Sequence, residues 1–243
     1  MLEKFRVASD DKAIPTANKM GYMVSQADRC IEQFITFCTQ AKKPVLDIGA
    51  AFGIATHRAL EAGAQVTAVD LSTYHLDCLV NATPIPCRSR LQTIQGHLPD
   101  SLDFPENSFD AILVSRVLHF LSPDQIKRSI DLLEKWLNCG GRLFISVATP
   151  FCQLYEEFIP VFLERKKQGI LWAGIIEDTQ QLKHHRIKNF PAYLNLFDQD
   201  IVEHLFLERS LSIKACHYLS REDIPEDMRW DGREGVYIIV EKE

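Results

Sequence analysis

Hydrophobic and polar positions alternate with two periods along this chain, and the switches between them outline an α/β domain. Ala27, Cys30, Ile31, Phe34, Cys38 and Ala41 recur at helical spacing, so a helix with one buried face is predicted from Ser25, with Asp28 as its capping partner. Lys42-Lys43-Pro44 ends it, and an apolar run from Val45 to Asp47 reads as a strand. A helical pattern from Ile54 to Leu60 follows, ended by Gly63, and then a second strand from Gln65 to Val69 that closes on Asp70. Ser72 caps a helix to Val80, which Thr83-Pro84-Ile85-Pro86 breaks. Leu91 to Gln95 is a third strand. Phe109 to Ser115 is a fourth, apolar enough in its centre to be buried on both faces.

Ser122-Pro123 is a cap followed by proline at the first helical position. The helix it opens carries Ile126, Ile130, Leu133 and Leu137 inward, and Gly140-Gly141 is expected to stop it before a fifth strand, Arg142 to Val147. Beyond residue 150 the rhythm changes. Phe151 to Lys167 reads as a helix kinked at Pro160, and residues 168–197 have no clean period. Asp198 caps a helix to Arg209, and two last strands, Leu211 to Leu219 and Val236 to Val240, are joined by a link too short for a crossover helix, so they pair antiparallel. The expectation is a Rossmann-like doubly wound sheet of seven strands, five parallel and then a terminal antiparallel pair. It forms one domain over residues 1–243, with residues 1–24 as a polar lead-in or lid and residues 151–197 as a substrate-cap insertion.

Composition narrows the partners. The 243 residues are 46% hydrophobic and 25% charged, ordinary for a globular chain. A net charge of -6 argues against a nucleic-acid backbone as main partner. The seven cysteines are scattered without a Cys-x-x-Cys, which fits a reducing cytoplasm. Met1 to Lys12 is charged and does not read as a signal peptide, and no apolar run approaches the ~20 residues that span a bilayer.

The chemistry gathers at the first strand–helix turn. Asp47-Ile48-Gly49-Ala50-Ala51-Phe52-Gly53 resembles the first motif, acidic-x-Gly-x-x-x-Gly, of the class I S-adenosylmethionine-dependent methyltransferases. Val66 to Ser72, with Asp70 closing the strand, is similar to the second motif of that family. Phe109 to Val114 with Val117 to Leu121, and Gly140 to Ile145, resemble its fourth- and fifth-strand blocks. The four blocks stand in order over residues 25–150, and the last 45 residues match by topology. A dinucleotide dehydrogenase fits less well, because Gly49 to Gly53 lacks the Gly-x-Gly-x-x-Gly spacing.

The resemblance implies S-adenosylmethionine as cofactor, with S-adenosylhomocysteine as product. Gly49, Ala50 and Gly53 would let the backbone approach its methionine end, and Asp47 suits its ammonium. Asp70, with Leu71 beside it, would accept from both ribose hydroxyls. His97 and Leu98 would line the adenine, and Ser115 and Arg116 would pass beneath the sulfonium. Two positions depart from the family: Ala51 stands where Gly is frequent, and His97 where Asp is frequent. Tyr22, with Met20, is a candidate to close over the cofactor.

His119 is the candidate catalytic base, against a plain packing role. No metal site is expected, since the adjacent His184 and His185 would diverge on a helix or strand. The basic run Lys183 to Lys188 reads as solvated surface or as a funnel for an anionic acceptor. Trp172, Phe190, Tyr193 and Phe197 are core for the insertion or walls of a substrate pocket. The expected partner is a small-molecule methyl acceptor, without nucleic acid or membrane, in a monomer or homodimer. A protein or RNA methyltransferase and a non-catalytic cofactor-binding module are the alternatives.

Overall fold

The computed structural model describes residues 13–24, 26–207 and 209–243. Its strands and helices are β1 Ala13–Pro15, β2 Tyr22–Val24, α1 Arg29–Cys38, β3 Val45–Ile48, α2 Ile54–Glu61, β4 Val66–Asp70, α3 Thr73–Ala82, β5 Leu91–Gln95 and β6 Phe109–Ser115. They continue as α4 Pro123–Trp136, β7 Leu137–Ala148, α5 Ile159–Lys167, β8 Ile175–Ile176, β9 Leu194–Asn195, α6 Gln199–His204, β10 Leu211–Leu219 and β11 Gly235–Lys242.

Seven strands form the central sheet in the order β10-β11-β7-β6-β3-β4-β5. β3 to β7 run parallel; β11 pairs antiparallel with β7 and with β10. Side chains alternate across the sheet. Leu46, Ile48, Ile112 and Val114 face α4 and the segment after β7, in one core with Ile126, Ile130, Leu133 and Trp136. Val45, Ala111, Leu113 and Phe144 face α1 and α2, in a second core with Cys30, Phe34, Ala59 and Leu60. β3 lies between β4 and β6, so the connections leave it in opposite directions. Its carboxyl end is therefore the switch point where open α/β sheets hold ligands.

Several boundaries differ from the sequence expectation for local reasons. Ser25 lies outside the described residues. α1 starts at Asp28, whose carboxylate itself caps the helix by accepting from Ile31 N–H at 3.0 Å. Ser122 and Gln125 close a full capping box at the start of α4. That helix ends at Trp136, not at the glycines: Leu137 is extended and opens β7. Gly140 and Gly141 sit inside that strand beside a register shift, where a Cβ on Gly141 would meet the carbonyls of Asn138 and Asp110 at 2.8 and 2.9 Å. Pro160 stands in the first turn of α5, where its missing N–H costs nothing, and so does not kink it. A 3-10 turn, Gln153–Phe158, precedes it. α6 stops at His204, short of Arg209.

Residues 13–24 are more ordered than a polar lead-in: β1 and β2 form a two-stranded hairpin. Gly21 N–H donates to the Asn189 carbonyl at 2.8 Å, and the Tyr22 ring lies 5.7 Å from that of Phe190. The hairpin thus rests on the segment after β7. No described helix is long and apolar enough to cross a membrane.

Candidate functional site

A cavity of about 510 Å³ opens at the carboxyl ends of β3, β4 and β6, within the range that takes a drug-sized ligand. Its wall includes Asp47, Gly49, Ala50, Asp70 and Leu71, and also His97, Leu98, Ser115, Arg116, His119 and Tyr22. Of the residues assigned to the cofactor in the sequence, Gly53 alone is not in its wall. Gly53 is the αL cap of α2 at φ +88, where a Cβ would meet Leu79 Cγ at 2.7 Å, so helix packing rather than ligand approach requires it. Gly49 is in the wall at φ +80, and a Cβ there would lie 2.5 Å from Val117 Cγ2. Ala51 takes a left-handed conformation, φ 47, in the same turn.

The two acids differ in environment. Asp47 is buried and its Oδ2 accepts from the Thr56 hydroxyl at 2.6 Å. Burial pushes its carboxyl up from 3.8 to about 6, against that hydrogen bond and with repulsion from Asp70 adding to the rise. Asp70 is already engaged. Its Oδ2 accepts from Ala51 N–H at 2.9 Å, and its Oδ1 from Ser72 N–H at 2.8 Å and His75 Nδ1 at 3.1 Å. A carboxylate offers about four lone-pair sites. With three used, room remains for one ribose hydroxyl rather than both.

The tautomer of His75 follows from its partners. Its Nε2 accepts from Ala17 N–H at 3.2 Å, so Nδ1 carries the proton given to Asp70. One imidazole thereby joins the β1–β2 hairpin to the acid at the end of β4. His97 is fixed similarly: a carbonyl can only accept, so Nδ1–H donates to the Leu98 oxygen at 3.3 Å. Its Nε2 is left as an acceptor, which suits an exocyclic amino group.

Arg116 sits at φ 57, with its N–H on the Ser146 carbonyl at 2.7 Å. Its guanidinium donates to Asp28 at 2.8 Å and lies 3.8 Å from Asp223. Burial lowers it from 12.5 to about 10, with the neighbouring Arg221 adding to the fall. Arg221 is held by both oxygens of Asp223 at 2.6 and 2.9 Å. Glu234 folds the loop before β11 around itself by accepting from Trp230, Gly232 and Arg221 N–H groups. Arg116 thus ties the start of α1 to that loop.

The far end of the cavity is mostly apolar, lined by Leu121, Leu154, Tyr155, Phe190, Ile224 and Met228, with His119 and Arg221 as polar groups. His119 is buried, and its Nδ1 has no partner among the described residues. Burial, reinforced by Arg116 and Arg221, lowers its imidazole from 6.5 to about 3, so it is neutral at ordinary pH.

The aromatics of the insertion divide. Phe190 reaches the cavity, whereas Phe197 is fully buried with Trp172 edge-on at 6.3 Å, and Tyr193 is not in the cavity wall. Two cations of the basic run are paired: Lys183 meets Glu157 at 2.6 Å and Arg186 meets Asp227 at 2.9 Å. His184 and His185 do not diverge, because they straddle the start of a 3-10 turn; their rings stack at 4.8 Å beside Asp227. His184 uses both nitrogens, Nε2 on the Asp227 carbonyl at 2.8 Å and Nδ1 under Arg186 N–H at 3.3 Å.

His75, Thr56, Tyr155, Arg221 and Glu234 belong to the site without a motif to mark them. Only Asp70 to His75, five positions apart around the Ser72 cap, left a local trace in the sequence.

Known proteins agree with this architecture. Residues 45–141 match the methyltransferase domain family. A demethylmenaquinone methyltransferase of Tropheryma whipplei is 33% identical over 127 residues, 49% of this chain and 50% of the relative. The chain spans about half the length of the curated relatives it matches. Among solved structures, a S-adenosylmethionine-dependent methyltransferase from Methanosarcina mazei superposes with a TM-score of 0.65 at 17% identity, covering 89% of this chain and 98% of that one. A glycopeptide N-methyltransferase solved with S-adenosylmethionine gives 0.57 at 17% identity, covering 90% and 89%. The fold is that of the class I S-adenosylmethionine-dependent methyltransferases, with the seven-stranded sheet and its terminal antiparallel pair.

Proposed function

We propose that this protein is an S-adenosylmethionine-dependent methyltransferase acting on a small, largely apolar acceptor. The observation that carries the reading is the two-ended cavity at the switch point. One end has the buried Asp47, the Gly49 turn, Asp70 and a hydrogen-bond-accepting His97; the other has apolar walls around a neutral His119.

The cofactor end fits its ligand chemically. Asp47 presents a carboxylate that burial makes expensive to ionise, and a ligand ammonium would compensate it. Asp70 keeps one lone-pair site for a ribose hydroxyl. Gly49, at φ +80 and packed against Val117, makes the turn that forms this part of the wall. When bound, S-adenosylmethionine supplies a methyl group already activated on sulfonium sulfur, and S-adenosylhomocysteine leaves. The chain's own residues orient the acceptor, exclude water and handle its proton. His119, being neutral, can accept a hydrogen bond from an acceptor O–H or N–H. It takes the proton only as the acceptor's lone pair forms its bond to the methyl carbon and the carbon–sulfur bond breaks.

Residues 13–24 with the 151–197 segment form the cap in this reading, and Tyr22 and Phe190 close the apolar end. A half-open cavity of about 510 Å³ with Tyr155, Phe190 and Met228 in its wall suits a small molecule better than a folded protein or RNA. The test is transfer of a labelled methyl group from S-adenosylmethionine to panels of phenols, amines and other small hydroxyl compounds, beside peptides and RNA. Transfer to small acceptors supports the reading. Transfer only to a macromolecule, or binding without transfer to any panel member, overturns it.

A further inference from the structure

His75 holds a hydrogen bond on each ring nitrogen, to partners 5 and 58 residues before it in the chain. It stands in the first turn of α3, 1% exposed, with the Phe52 ring edge-on at 4.8 Å. Nδ1–H donates to Asp70 Oδ1 at 3.1 Å, and Nε2 accepts from Ala17 N–H at 3.2 Å. A backbone N–H can only donate and an ionised carboxylate only accept, so each partner sets the role of its own ring nitrogen. Ala17 lies in the turn between β1 and β2, where Lys19 N–H donates to the Thr16 carbonyl at 3.1 Å. Elsewhere the hairpin is tied down by Gly21 N–H on the Asn189 carbonyl at 2.8 Å and by Tyr22 against Phe190. A hairpin of two three-residue strands is marginal by itself, so these attachments decide whether it stays down.

Thr16, Asn18, Met20 and Tyr22 line the same cavity as Asp70. A ligand that fills the cavity meets the hairpin and the acid together. We infer that His75 is the positioning residue that couples them: it steadies the Asp70 carboxylate for a ribose hydroxyl and latches the β1–β2 hairpin down over the same ligand. A ligand that binds better with the hairpin down also holds it down, by the same factor. Loss of the latch lowers the fraction of chains with the hairpin down, and the apparent affinity falls with that fraction. That the ligand is S-adenosylmethionine rests on the methyltransferase reading. The link from Asp70 through His75 to Ala17 does not.

Hydrogen exchange of the full chain, read by mass spectrometry on peptides covering residues 13–24, measures whether the hairpin is down. Ala17→Pro removes the latching N–H at an exposed position, the second residue of a β-turn, where proline fits. His75→Phe removes both hydrogen bonds and keeps a ring against Phe52. Asp70→Ala removes the acceptor that orients the imidazole. Without ligand, each variant should speed exchange over residues 13–24 at least roughly threefold and leave exchange in β6 and β7 unchanged. S-adenosylhomocysteine should slow hairpin exchange in wild type and do so less in Ala17→Pro, whose Kd for it should rise about two- to tenfold. Unchanged hairpin exchange in ligand-free Ala17→Pro and His75→Phe overturns the link, whatever the ligand does. Wild-type hairpin exchange that bound S-adenosylhomocysteine leaves unaltered overturns the coupling. If S-adenosylhomocysteine does not bind wild type while the ligand-free variants behave as expected, the link is supported and the methyltransferase reading is what fails.

Discussion

Replacing Asp47 with Asn should make the protein more stable in the absence of cofactor, by an amount that depends on pH in a defined way. Burial holds this carboxyl at about 6 instead of 3.8. At ~1.4 kcal/mol per unit, a shift of roughly two units is about 3 kcal/mol. The sign follows from which state binds the proton more tightly. Below pH 3.8 the acid is protonated in both folded and unfolded chains, and the burial of its charge costs nothing. As pH rises toward 6 the unfolded chain loses the proton while the folded chain retains it. Above 6 the folded chain carries a buried charge at the full cost. Asparagine has no charge at any pH and keeps an oxygen for the Thr56 hydroxyl. Its NH2 group adds a burial cost of its own, which is independent of pH. The slope is therefore the diagnostic quantity. Urea unfolding of both proteins from pH 4 to pH 8 should show the stability of Asp47→Asn relative to wild type rising by about 3 kcal/mol and levelling off above pH 7. A flat difference, or one falling with pH, would refute the burial argument. Cofactor binding near pH 6 should likewise release part of a proton in wild type and none in the variant, readable from calorimetry in two buffers of different ionisation enthalpy.

Asp70→Ala should weaken S-adenosylhomocysteine binding by about 1.5–3 kcal/mol, the scale of a hydrogen bond to a charged group; unchanged affinity in calorimetry means that another group holds the ribose. Gly49→Ala should cost about 2–4 kcal/mol of stability, because it combines a left-handed backbone with a Cβ 2.5 Å from Val117 Cγ2; the companion variant Val117→Ala, which clears that contact, should recover part of the loss in a thermal melt. Ala51→Gly should stabilise the turn by about 0.5–1 kcal/mol, since Ala51 holds φ 47 and glycine does so without the Cβ clash; a fall in the denaturant midpoint contradicts this. His119→Gln should lower kcat roughly a hundredfold while leaving S-adenosylmethionine affinity intact; near-normal turnover removes His119 from the chemistry.

Most of the sheet was legible because its strands are short apolar runs bounded by turn residues. Leu91–Gln95, Phe109–Ser115 and Leu211–Leu219 appear at the expected residues. The antiparallel end followed from the length of the link before β11. Helix ends were less legible, because a glycine pair signals a helix stop and a strand bulge alike. At Gly140-Gly141 the register of β6 against β7 decided between them. Ser25 and Asp28 form a capping pattern in sequence; the N-cap of α1 is Asp28, and Ser25 lies outside the described residues.

The Asp47–Asp70 part of the cavity was visible because its residues close strands and share a motif. The apolar part was not. Tyr155, Arg221, Met228 and Glu234 come from a 3-10 turn after β7 and the polar link between β10 and β11, which only the fold brings to the same cavity as His119. The hairpin of residues 13–24 was hidden for a related reason. Its strands are three residues each, and its anchor is Gly21 and Tyr22 on a segment more than 160 residues away. The stacking of His184 on His185 depends on a 3-10 start that no helix or strand period anticipates.

Isothermal calorimetry of the full chain with S-adenosylhomocysteine and, separately, with NAD tests most directly whether the cavity at the end of β3 is an S-adenosylmethionine site. One S-adenosylhomocysteine should bind per chain, more weakly in Asp70→Ala, and NAD should not bind. NAD binding in preference to S-adenosylhomocysteine would contradict that assignment.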